Sequence, residues 1–451
     1  MDFNQYTITQ IQDKDKTLLQ PLSIINAPSK YMLVDSRSYN TFKLVTLGGY
    51  PKVKVAAAME KAISQGKIEH ACYWAFQLLS SGAPITLWDR LLGYVYKNVN
   101  IANAKLPRWL YDKTITWQRA VIRKEFSGHN VIHTRNIQQI RNVITEVIVC
   151  LCQSRKRKLD ILSVKIKEGD FVISNFTDRC TSRHNMIIGA LLGENDPSEI
   201  RLATNEFAVA LMAKNMQSAL YWLHWILYWE KINIKRFKTF LIQARAIEGI
   251  PQTDTRDVIW LLWSIIHQVR KKHLEELSVQ NRPPSETGGL ERQLDALWQM
   301  YIYKWKSGFK AKRLPLLIWS MQYLIYPVDW MGDVISRMDL LVKAVSNVNL
   351  MFEKIRAQCN GGEGTPTHQS GPSLLDKLNG GGPSIIPNNT IITNNVKMPE
   401  KIEEAILDAR AKIKSTAEKA ATNKSGNKPG MLSGDSAAKL DIMAKLDRYL
   451  Y

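Results

Sequence analysis

Two stretches of this sequence, 148 positions apart, carry the same pattern of side chains, and a chain built this way is expected to fold around two copies of one supersecondary unit. The shift lays Ala62-Ile63 on Ala210-Leu211, Ile68 on Met216, Ala71 on Ala219, Tyr73-Trp74 on Tyr221-Trp222 and Leu78-Leu79 on Ile226-Leu227. In the first copy Val55, Ala58, Met59, Ala62 and Ile63 share one helical stripe, and after a turn at Gln65-Gly66 so do Ala71, Trp74, Ala75, Leu78 and Leu79. The repeated unit therefore reads as a helical hairpin. Two copies do not establish a long solenoid; they predict related helical halves packed together.

The same periodicity runs through most of the chain. Gly82 fits a helix stop and Pro84 the start of a helix carrying Leu87, Trp88, Leu91, Leu92 and Val95. Further helices are predicted at about 105–125, 134–154, 197–213, 216–231, 254–279, 287–306, 313–325 and 330–357. Only Tyr31–Val34, Thr41–Val45 and Ile161–Ile173 read as β-prone. From Asn360 the composition turns to Gly, Pro, Ser and Asn, which is that of a flexible linker. Within it, Pro399–Lys419 and Ala437–Tyr451 could form short amphipathic helices. The expected fold class is all-α, a multi-helix body of helical-hairpin repeats with a disordered C-terminal tail. Its expected parts are an irregular or strand-like segment (1–48), a first helical unit (49–160), a connection (161–195), a second helical unit (196–359) and a low-complexity tail (360–451).

Composition adds the sign of the partner. The formal charge is +20. Residues 360–451 hold twelve basic and ten acidic side chains, a net of +2, so +18 belongs to the part expected to fold. A basic folded surface favours polyanions such as nucleic acid or acidic protein surfaces. The five cysteines, Cys72, Cys150, Cys152, Cys180 and Cys359, form no Cys-x-x-Cys pair, which points to a reducing compartment. Residues 1–30 contain Asp2, Asp13, Lys14, Asp15 and Lys16 and no apolar core, so no secretory signal is expected. The apolar runs Ser218–Trp229 and Val258–Val269 fall short of the roughly 20 residues that a membrane-spanning helix needs.

Signatures of catalysis are missing. The glycine clusters 361–364 and 380–382 follow no strand and open no helix, so they read as linker and not as a phosphate loop. No zinc spacing or hydrolase elbow occurs. His129 and His133 sit four apart, but Gly128 and Asn130 make the segment a turn. Cys150, Cys152 and His224 stand among apolar neighbours and read as packing residues, as do Trp74, Trp222, Trp260 and Trp319. The expectation is a non-enzymatic protein without metal or cofactor.

Three basic clusters are candidate nucleic-acid contacts. Arg155, Lys156, Arg157 and Lys158 follow a helix, and Arg270, Lys271 and Lys272 sit in the last turns of another. Phosphate binding and neutralisation of a helix C-terminus both fit these two, and a four-residue basic run also resembles a nuclear-import signal. In the third, Lys304, Lys306, Lys310, Lys312 and Arg313 interleave with Tyr301, Tyr303, Trp305 and Phe309. Cations among rings suit single-strand binding; a solvated helix end is the alternative. At the C-terminus, Met443, Leu446, Tyr449 and Leu450 have the spacing of peptides that plug into sliding clamps, with Met443 where Gln belongs and Leu450 where an aromatic belongs. The same residues also fit an amphipathic helix that docks onto the body or a neighbour.

Two resemblances follow from named residues. Val55–Leu106, with the Gly66 turn, Ala71-Cys72-Tyr73-Trp74, Ser81-Gly82, Leu87-Trp88 and Asn103-Ala104-Lys105-Leu106, resembles the C-terminal helical domain of clamp-loader-like AAA+ ATPases of the Werner-helicase-interacting type. That domain serves oligomerisation, so the resemblance implies a possible homo-oligomer; the ATPase module has no counterpart here. Gly49 to about Tyr326 resembles a helical family of giant nucleocytoplasmic DNA viruses, through the same segment plus Ser154-Arg155-Lys156, Asn195-Asp196-Pro197, Asn205-Glu206, Tyr221-Trp222 and Asp257-Val258-Ile259-Trp260. It implies a viral protein of the host cytoplasm, virion or nucleus and assigns no activity. The expected function is a basic scaffold or adaptor that binds nucleic acid or viral proteins, a sliding clamp or capsid components among them. The alternative is a structural component of the virion.

Overall fold

Pro51 ends an irregular N-terminal stretch and opens the first of the repeated hairpins. In the computed structural model, which describes residues 23–360 apart from 36, 182–186 and 281–282, that hairpin is α1 (Lys52–Ser64) and α2 (Ile68–Ser80). All the described residues belong to one unit, Met1–Thr367. The next helices are α3 (Pro84–Asn98), α4 (Leu106–Val121), α5 (Gln138–Gln153) and α6 (Ile173–Arg179). The second hairpin is α7 (Ser198–Met212) and α8 (Met216–Phe237), followed by α9 (Val258–Val279), α10 (Pro284–Ile302), α11 (Lys310–Ile325), α12 (Met338–Ser346) and α13 (Val348–Asn360).

The 148-residue repeat extends to individual backbone hydrogen bonds. At the first turn Lys67 N–H donates to the Ala62 carbonyl at 3.0 Å and Gly66 N–H to that of Ile63 at 3.1 Å. At the second, Asn215 N–H donates to the Ala210 carbonyl at 2.9 Å and Lys214 N–H to that of Leu211 at 3.1 Å. Both are helix stops of the kind that closes on a left-handed residue. Gly66 occupies that position at φ 70° and Lys214 at φ 56°. Tyr73 meets Trp74 edge-on at 4.9 Å, and Tyr221 meets Trp222 in the same way at 5.2 Å.

Packing repeats as well. In the first half α1 packs on α2, α3 packs on both, and α5 lies against all three and against α4. In the second half α7, α8, α9, α10 and α11 repeat every one of those pairings in the same order. The two halves meet where equivalent helices touch, α4 against α10, with α11 also reaching α3. A hydrophobic core runs through residues of both sequence units without a break. Helix α13 seals the first half, setting Phe352 against Phe76 at 4.7 Å.

Three β-prone segments form no strand among the described residues, which contain two isolated bridges, Asn26 with Ile137 and Val45 with Pro51. Ser29–Tyr31 and Tyr39–Phe42 are tight 3-10 turns instead. The reason is the absence of a partner edge: Leu33 and Phe42 plug singly into the helical core, while Val34 and Leu44 face solvent. Ile161–Ile173 likewise runs as coil with one 3-10 turn at Glu168–Phe171, and its Phe171 stacks on Trp225 at 4.8 Å. The long helix expected over 330–357 is two helices that break at Asn347.

Candidate polyanion-binding surface

The chain leaving α5 is basic, and tertiary hydrogen bonds fix its path. Arg157 N–H donates to the Asn98 carbonyl at 2.8 Å and Leu159 N–H to that of Lys97 at 3.0 Å, while Asn100 Nδ2 donates to the Arg157 carbonyl at 2.8 Å. The segment is thereby laid across the C-terminal end of α3. It then crosses the end of α11: Gln322 Nε2 donates to Asp160 Oδ2 at 2.6 Å and the Tyr326 hydroxyl to Asp160 Oδ1 at 3.2 Å. Finally it reaches the start of α8, where Gln217 Nε2 donates to the Ile161 carbonyl and Gln217 Oε1 accepts from Ser163.

That path brings together two clusters that lie far apart in sequence. Beside Gln217, the turn residue Lys214 shares a surface dimple with Lys272 and His273 of α9 and with Leu324 of α11. Burial and then the Lys214 charge push the His273 pKa below the ordinary histidine value. Glu276 also lines the dimple, so its charge is mixed but mainly positive. The C-terminal end of α11 is thus met by Arg157, which lies over the Tyr326 ring, and by the dimple in which Lys214 and Lys272 adjoin Leu324. Lys165 and Lys167 are exposed further along the same connection.

Within the first cluster the side chains differ in availability. Lys156 Nζ donates to the Leu151 and Ser154 carbonyls, both at 2.6 Å, and so caps α5. Burial lowers its pKa below the ordinary lysine value. It neutralises a helix end and is engaged there. Arg157 lies 4.4 Å over the Tyr326 ring and 3.3 Å from Asp160. Lys158 donates to Asn98 Oδ1 at 2.7 Å yet stays exposed, as does Arg155. In the second cluster Arg270 pairs with Asp295, Lys271 is exposed and Lys272 is half-buried.

The third cluster does not form an aromatic platform. Tyr301 and Trp305 are buried, stack on one another at 5.3 Å, and meet Trp260 edge-on. Lys310 lies between Glu230 and Asp257, donating to Asp257 Oδ1 at 2.6 Å. The same two carboxylates accept the Val258 and Ile259 N–H groups at the start of α9. Burial acts against the Lys310 charge, but Asp257 and Glu230 outweigh it and raise its pKa. Arg313 donates to the Tyr301 carbonyl and lies 4.8 Å over Phe309. Lys304, Lys306 and Lys312 remain exposed, at the opposite end of α11 from the strip. Lys310 is therefore corrected from a phosphate contact to an interior ion pair.

No protein-family model, curated protein or solved structure matches the chain. Trp222, Trp260 and Trp319 are buried and Trp74 packs against the core, so these rings hold the body together. No group of three or more His, Cys, Asp or Glu side chains among the described residues could hold a metal ion. No helix among them is long and apolar enough to cross a membrane. Met443, Leu446, Tyr449 and Leu450 lie outside the described residues. Lys165, Lys167 and Lys214 were not among the sequence candidates. The repeat carried a signal for Lys214, which stands where the first hairpin has Gly66, at the tip of a turn.

Proposed function

We propose that this protein is a non-catalytic, basic helical adaptor that grips the phosphate backbone of a nucleic acid through the strip formed by Arg155, Arg157, Lys158, Lys165, Lys167, Lys214 and Lys272. The observation that supports this reading is that cations from two sequence-distant segments adjoin the C-terminal end of α11, Arg157 at Tyr326 and the Lys214–Lys272 dimple at Leu324. Cations that only neutralise helix ends would stay local to their own helices, as Lys156 does. Lys158 and Lys214 instead extend from a loop and a turn. The strip offers point charges without stacked rings, which suits backbone contact in preference to base reading. The viral setting rests on the sequence resemblance alone.

The test is charge reversal at Lys158, Lys214 and Lys272, with Lys304, Lys306 and Lys312 reversed as an equal-charge control at the other end of α11. Binding of a random-sequence duplex is followed by fluorescence anisotropy across a salt series. The strip variant should lose affinity at least tenfold and flatten the log–log salt slope by about 0.9 for each phosphate contact removed. Equal losses in both variants would show a diffuse charge effect and remove the strip from the account.

A further inference from the structure

Further along α8, where the basic connection ends at Phe171, a cavity of about 200 Å³ opens between α6, α7 and α8. Its walls include the rings of Phe171, Phe176, Trp225 and Trp229, and its polar groups are Glu199 and Asn233. In a chain of charge +20 it is notable that no cationic side chain lines it.

The rings divide into two walls. Phe171 stacks on Trp225 at 4.8 Å and Phe176 tilts against Trp225 at 4.9 Å, and Trp225 is held by an N–H bond to the Asp170 carbonyl at 3.0 Å. Trp229, one helical turn further on, touches no other ring among the described residues and lines the cavity apart from the packed trio. Asn233 donates to the Trp229 carbonyl at 2.9 Å, which leaves its own carbonyl oxygen as an acceptor. Glu199 pairs with no cation among the described residues; its one polar contact is with Ser198 at 3.4 Å. The rim is apolar and open, with Ile173 80% exposed.

We propose that this cavity binds a trimethylammonium group. Aromatic faces attract cations through their quadrupoles, most strongly where water is displaced, and a nearby carboxylate adds a full opposing charge. A guanidinium would bring five N–H donors and a primary ammonium three, against the three acceptor oxygens of Glu199 and Asn233, and any donor turned toward the rings would be left unpaired. A quaternary ammonium has none to satisfy. The volume also fits, since about 150 Å³ accommodates one benzene-sized ligand. Trimethyl-lysine and choline share this chemistry. The proposal is independent of the cationic strip.

The test is a titration of the full-length chain, followed by tryptophan fluorescence, with choline, with a trimethyl-lysine peptide, and with 3,3-dimethylbutanol, the neutral carbon isostere of choline. A saturable change with choline or the peptide, and binding roughly tenfold weaker for the neutral isostere, is the expected result. The tighter of the two cationic probes identifies the source of the group. Glu199→Gln, an exposed change that leaves the core intact, should weaken both cationic probes and leave the isostere unchanged. Trp229→Leu should abolish the response. Equal affinity for the neutral isostere would show a merely apolar cavity and overturn the proposal. So would the absence of saturation by either cation, or cation binding unchanged in Glu199→Gln.

Discussion

Each half of the molecule sets a cation near the start of its central helix against buried polar groups, Arg141 fully buried and Lys310 half-buried, and the two halves satisfy it in opposite ways. In the first, Arg141 of α5 is fully buried and no carboxylate pairs with it among the described residues. Its guanidinium donates to the carbonyls of Arg135 (2.8 Å) and Tyr31 (3.2 Å) and to the side-chain oxygens of Asn349 (2.8 Å) and Asn136 (3.2 Å), and lies 3.7 Å over Phe352. In the second, Lys310 of α11 sits between two carboxylates. The helices repeat while the electrostatics do not. A duplicated packing plan constrains which helix faces meet, and leaves each half free to settle its interior charges with whatever chain lies nearby.

Removing the two cations should separate these solutions. Lys310→Met leaves Glu230 and Asp257 buried beside each other, and urea unfolding should show a loss of about 3–5 kcal/mol. Arg141→Met leaves only neutral acceptors unpaired and relieves a buried charge, so its loss should be about 2 kcal/mol. A larger loss for Arg141→Met than for Lys310→Met would break the comparison.

The pH dependence sharpens it. Because the Lys310 pKa is raised, its stabilisation is complete below the ordinary lysine value of 10.5 and is lost as pH rises through the raised value. The stability gap between wild type and Lys310→Met should therefore narrow above the ordinary lysine range, and narrow again on the acid side, where Glu230, its pKa raised by burial and by Asp257 and no longer lowered by Lys310, takes up a proton in the variant. A gap that stays constant from acid pH to above the lysine range would contradict the ion pair.

The smallest effects come from the two hairpin tips. Lys214→Gly relieves a left-handed lysine and should stabilise the fold by about 1 kcal/mol in thermal or urea melts, while weakening polyanion binding. Gly66→Ala should destabilise by about the same amount, since its new Cβ meets only the Cys152 carbonyl, at 3.5 Å, and backbone strain is its main cost. Opposite signs at equivalent positions would establish that the turns are one motif with two occupants.

The hairpins were legible because their apolar stripes and the recurring Tyr-Trp pair report local geometry. So were most helix positions, and the quoted Asp257-Val258-Ile259-Trp260 is a helix start in which Asp257 accepts from Ile259 N–H at 2.9 Å. The N-terminal segments, irregular or strand-like by sequence, take the irregular form because strand propensity needs a partner edge, and among the described residues they find only isolated bridges. The 301–313 cluster was half misread because spacing alone cannot say which rings turn inward; Tyr301 and Trp305 close on Trp260, and Lys310 follows them. The cationic strip was visible only in pieces. Its assembly depends on Asp160 reaching Gln322 and on Gln217 reaching Ile161, contacts that no local pattern encodes.

The contact of α4 with α10 joins matching elements of the two halves, the relation found at the interface of a symmetric homodimer. A chain encoding only one half would therefore expose the apolar face that the other half covers. Produced alone, either half should be found paired, and the two fragments produced together should prefer each other and rebuild the parent.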